Sequence, residues 1–117
     1  MVTKKSKQKD KEHYSYLILL LNDRGRVKYT KVGYTCDLNR RFDELEYQYD
    51  AKVDIICFWK FNRKEIGLDH ENHMRMRLQD IKGSHYIRQD RFQRIKKEQI
   101  DLNDFNREAI ALAEKYA

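Results

Sequence analysis

The run YSYLILLL, Tyr14 to Leu21, limits the fold of this chain more than any other stretch. Its apolar residues fall on both alternating faces, so as an extended strand it leaves neither face for water. Such a strand belongs in the middle of a layered structure, covered above and below. Its apolar part, Tyr16 to Leu21, is far short of the ~20 residues a membrane-spanning helix needs. NDRG, Asn22 to Gly25, follows as a turn in which Gly25 is free to take positive φ. RVKYTKVGYT, Arg26 to Thr35, then reads as the returning strand of a hairpin.

The remaining pattern alternates helix and strand. A first helix is expected from Leu38 to Tyr49, with Asp37 or Thr35 capping its exposed amides. VDIICFWKF, Val53 to Phe61, is β-branched and aromatic enough for a third buried strand. NRKE, Asn62 to Glu65, resembles a capping box, and Ile66, His70, Met74, Leu78 and Ile81 continue as the apolar stripe of a second helix. Two short helical patterns, Phe92 to Gln99 and Phe105 to Tyr116, close the chain. The 117 residues suffice for one domain with a single core. The expected class is α/β in the broad sense (α+β), with a small three-stranded antiparallel sheet flanked by helices and further helices at the C-terminus.

Charge narrows the partners. Lys and Arg number 25 against 19 Asp and Glu, a formal charge of +6. That balance favours a polyanion, and without a strongly amphipathic basic helix nucleic acid is favoured over a membrane. Residues 1–12, MVTKKSKQKDKE, have the composition of a basic, disordered arm. YLILLL follows a charged tail and lacks a small-residue cleavage site, so it does not read as a secretory signal, and a cytoplasmic location is expected, nuclear in a eukaryotic host. Cys36 and Cys57 lack a CxxC partner and are expected as reduced thiols.

Two cations stand in odd places. Arg41 lies on the inward stripe of the first helix, three after Leu38 and four before Leu45. Lys31 sits inside a strand-like run, just before Val32 and Gly33. Either Arg41 snorkels to solvent or to a carboxylate such as Glu44, or the two line an anion site. His70 continues an apolar stripe and reads as a packed core histidine. His70 and His73 lack the i, i+4 spacing of a zinc helix, so zinc is not expected. Glu71 and Arg75 are spaced for a helical ion pair.

The order hairpin, helix, strand, helix, with Lys31, Val32, Gly33 and Thr35 closing the second strand and Arg41 ten residues after Lys31, resembles the GIY-YIG nuclease superfamily. It is most similar to the branch, common in phages, bacteria and large DNA viruses, whose second motif reads K-I-G-x-T. The resemblance spans roughly Tyr14 to Ile87 and implies a nuclease domain over 13–88, with a helical extension over 89–117. It implies a metal-dependent DNA endonuclease, with RNA as a further substrate class, in which Tyr16, with Tyr14 as the alternative, would take a proton from water. Arg41 would fork onto the scissile phosphate, Lys31 would stabilise charge or orient the nucleophile, and Glu71 would hold Mg²⁺ or Mn²⁺. Gly33, Arg40, His73 and His85 would contribute more weakly to substrate binding. The chain departs from the pattern at Arg75, where the branch often has His, and at His85, where a Trp is common. A degenerate domain that binds nucleic acid without cutting it is the alternative. The chain after Ile87 is too short for a separate reader domain, so the activity is expected to be structure-selective or nonspecific, or to gain specificity from dimerisation or a partner.

Overall fold

A computed structural model describes residues 12–81, 91–93 and 95–117, and the backbone alone of 85–88. The basic arm before Glu12 lies outside the described residues. Strands β1 (His13–Leu21) and β2 (Val27–Thr35) form the hairpin, followed by helix α1 (Leu38–Tyr49), strand β3 (Lys52–Phe61) and helix α2 (Lys64–Gln79). Short strands β4 (His85–Arg88) and β5 (Arg91–Gln93), a 3₁₀ turn at Lys97–Gln99 and helix α3 (Leu102–Lys115) complete the chain. The described strands make an antiparallel sheet in the order β3-β1-β2-β5-β4.

β1 lies inside this sheet and is covered on both sides. On one face Tyr16, Ile18 and Leu20 pack under Phe42 and Leu45 of α1. On the other, Leu17 and Val32 pack against Met74 and Leu78 of α2, with Phe92, Ile95 and Phe105 in the same cluster. Gly25 turns the hairpin at φ 77°.

α1 starts where the sequence places it. The Asp37 carboxylate accepts from the Arg40 amide at 3.1 Å, and Thr35 Oγ1 accepts from the Asp37 amide at 3.0 Å. Asp37→Ala is therefore expected to cost about 1 kcal/mol, read as a lower urea midpoint at unchanged slope; an unchanged midpoint would show that the cap contributes nothing.

Five expectations are corrected. The sheet exceeds three strands, because β4 and β5 extend it beyond β2. Phe92 is not helical: it is fully buried in β5, opposite Thr30 of β2. The spacing of Phe92 and Ile95 mimics a helical period, but both enter the core from extended or irregular chain. β3 is an edge strand, so Ile55 and Phe58 are exposed rather than buried. The capping box at Asn62 does not form: Arg63 is the N-cap of α2, makes no side-chain cap bond, and pairs with Glu65 at 3.4 Å. α3 also begins earlier than its apolar pattern, because Asp101 caps it by accepting from the Asp104 amide at 3.1 Å.

Candidate active site

The pleat decides which of the singled-out residues meet. Tyr16 lies opposite Gly33, and Ile18 opposite Lys31. Because paired residues share a face, Tyr16, Gly33 and Lys31 all lie on the face covered by α1. One turn into α1, Arg41 closes the first helical bond to Asp37 O at 3.0 Å. Its guanidinium makes a side-chain hydrogen bond with Tyr16.

Gly33 makes this geometry possible. A Cβ there would stand 2.8 Å from Tyr16 Cε2 and overlap the hydroxyl. The tyrosine ring thus lies across β2, held edge-on against Phe42 at 5.3 Å between centroids. Burial works against the charge on Arg41, but the bond and charge of Tyr16, aided by Glu44, outweigh it and hold its pKa above the ordinary value. Arg41 Nη1 lies 3.5 Å from Glu44, an exposed contact of the kind that contributes little and exchanges readily.

Lys31 is 1% exposed, unusual for a lysine. Across β2 it pairs with Arg91 of β5, whose guanidinium lies over Tyr29 at 4.6 Å and Tyr49 at 5.1 Å from the ring centroids. Basic side chains therefore line the α1 face along β2. A fork-shaped donor beside a phenolic oxygen suits an anion with several oxygens, such as a phosphodiester.

The structure separates the two candidate tyrosines. The Tyr14 hydroxyl donates to Glu12, and that bond raises its pKa, disfavouring the phenolate. Tyr16, not Tyr14, faces the guanidinium. Arg40 points outward and pairs with Asp37 at 3.8 Å and Glu44 at 3.7 Å.

Glu71 is placed elsewhere. It lies on α2, the helix that packs on the opposite face of the sheet, and meets Arg75 at 3.4 Å as its spacing suggested. His73 turns to α3, bonding Asp104 at 3.0 Å and standing 3.9 Å from Glu108. The side chain of His85 lies outside the described residues. Among the described residues no group of three or more His, Cys, Asp or Glu side chains is arranged to hold a metal ion.

Three features escaped the sequence. Ser15 Oγ and His70 Nδ1 bond at 2.6 Å in the core, Arg91 stacks on two tyrosines, and Phe58 stands exposed across β1 from Tyr16. The serine before Tyr16, inside an otherwise apolar strand, was the available signal for the first. The other two depend on strand order, which no local pattern carries.

No family model, curated protein or solved structure matches this chain. Among the described residues, no helix is long and apolar enough to cross a membrane.

Proposed function

We propose that the chain is an endonuclease that hydrolyses phosphodiester bonds of nucleic acid, DNA above all, in the way its resemblance to GIY-YIG nucleases implies. The observation that carries this reading is the Tyr16–Arg41 contact above Gly33, beside buried Lys31. Arg41 exchanges its exposed contact with Glu44 for two phosphate oxygens and fixes the phosphorus near the Tyr16 oxygen. The guanidinium stands beside the Tyr16 oxygen, the atom that takes the proton. Water attacks phosphorus, its proton passes to Tyr16, the bond to the leaving oxygen breaks, and that oxygen takes up a proton from solvent. Lys31 and Arg41 oppose the charge that accumulates on the phosphoryl oxygens. The Mg²⁺ or Mn²⁺ of the resemblance, with Glu71 as its ligand, would supply further charge neutralisation when bound.

One observation favours a second reading, in which the domain binds nucleic acid without cutting it. Glu71 is held by Arg75 on the helix across the sheet from Arg41. Phosphate affinity would survive that arrangement, because it comes mainly from Lys and Arg.

Nicking of supercoiled plasmid with Mg²⁺, with Mn²⁺ and with EDTA tests both readings. Metal-dependent nicking is expected, with Arg41→Ala reducing it by about 10² and Glu71→Ala removing the nicking that Mg²⁺ or Mn²⁺ supports. Absence of nicking together with salt-dependent binding would establish the second reading. Nicking that is equal in all three chains would be contamination and would sink the first.

A further inference from the structure

We propose that the open end of the α1 face is a stacking platform for an unpaired nucleobase, centred on Phe58. The inference rests on the nucleic-acid reading above and names its substrate class: single-stranded or locally unpaired strands. Phe58 lies directly across β1 from Tyr16 and is 47% exposed. Its ring meets that of Tyr14 edge-on, with centroids 6.1 Å apart. Ile55, opposite Ile18, is equally exposed. A bulge between Leu17 and Ile18 brings Ile55 and Phe58, three apart in sequence, onto the same face. α1 leaves both half-exposed: its Phe42 and Leu45 cover Tyr16, Ile18 and Leu20 of β1, while Ile55 and Phe58 lie one strand further out, at the edge of the sheet.

An aromatic ring and an isoleucine left in water on an edge strand cost stability, and nothing in the core requires them there, since Ile56 and Trp59 already fill the inner face of β3. Their neighbours identify what covers them. Gly33 and Phe58 flank Tyr16 on the strands either side, so two strand spacings, roughly 9–10 Å, separate the ring from the point where Tyr16 meets Arg41. A ligand covering both must be flat and apolar at one end and anionic at the other. A nucleotide flanking the phosphate on Arg41 has that form, and an apolar peptide has no group for the guanidinium. Within a duplex the base faces are already stacked, so an open ring on a sheet takes a base only from an unpaired strand.

The test is binding by fluorescence anisotropy in EDTA, where no cleavage intervenes. The probes are a labelled oligothymidylate, an abasic oligomer of equal length and a duplex, with the wild-type chain, Phe58→Ala and Phe58→Trp. Phe58→Ala is expected to weaken oligothymidylate binding roughly 5–50-fold and leave the abasic oligomer unchanged, while Phe58→Trp keeps the wild-type affinity. Equal binding of oligothymidylate by wild type and Phe58→Ala, or an equal loss on the abasic oligomer, would overturn the platform. So would a self-association in sedimentation that Phe58→Ala removes, since the patch would then be covered by a second copy. A base-dependent effect of Phe58→Ala in a chain that never nicks plasmid sustains the platform and removes the nuclease reading. Nicking with no role for Phe58 in binding does the reverse.

Discussion

Gly33→Ala is expected to lower nicking by about 10²–10⁴ and to destabilise the fold by about 1–3 kcal/mol, although it adds a single methyl group. The backbone at Gly33 is not in the positive-φ region, so space rather than conformational freedom keeps a glycine there. The added carbon would overlap the Tyr16 hydroxyl and ring. The ring has no free volume to retreat into: it is 1% exposed and pinned against Phe42. Tyr16 must therefore move or β2 must bow away from α1, and either change separates the phenolic oxygen from Arg41. Tyr16→Val in the same background isolates the cause. With the ring gone, the alanine should be nearly neutral or mildly stabilising, since glycine weakens a strand, so the two changes should be strongly non-additive in urea unfolding. Additive losses would refute the overlap as the cause, whether or not the chain cuts DNA.

The three long strands and α1 are legible in the sequence because each is defined by its own residues. YSYLILLL cannot leave a face to water, NDRG can only turn, and Asp37 stops the chain with a side chain that satisfies an amide. β4, β5 and the turn at Lys97 are not legible, because their stability comes from contacts distant in sequence. RFQ is one phenylalanine between polar residues, and it becomes a strand because Phe92 fills the core opposite Thr30. The exposure of Phe58 has the same origin. VDIICFWKF specifies a strand, but its place at the sheet edge is decided by β2 pairing with β5 instead. In the site, Arg41 on an apolar stripe and Lys31 inside a strand were visible as misplaced charges, and the register of the hairpin brings them to one face. Glu71 could not be located that way. A helix pattern shows which residues turn inward, not which side of the sheet the helix covers.

The same reasoning makes His70 the expected source of a steep loss of stability in mild acid. Its ring is fully buried between Trp59 and Phe61, at 4.7 and 5.6 Å between centroids. Nε2 donates to Phe105 O at 2.8 Å, which leaves Nδ1 to accept from the Ser15 hydroxyl at 2.6 Å. A second proton would need an acceptor where a hydroxyl already donates. Burial pushes the His70 pKa down to about 4, the bond to Phe105 resists, and nearby His73 adds to the fall. In the unfolded chain the ring titrates near its ordinary value of 6.5. Above pH 6.5 neither state is protonated there, and the full contribution is present. As pH falls towards 4 the unfolded chain binds a proton that the folded chain refuses, and about 3 kcal/mol of stability is lost. Urea unfolding at pH 7, 5.5 and 4.5 should show the loss, and His70→Gln, which cannot titrate, should flatten it. An equally steep decline in that variant would assign the acid sensitivity to the carboxylates. Because this pair sits under β1 on the face away from Tyr16, a nicking profile that fell over the same window while the fold stayed intact would have to come from the α1 face.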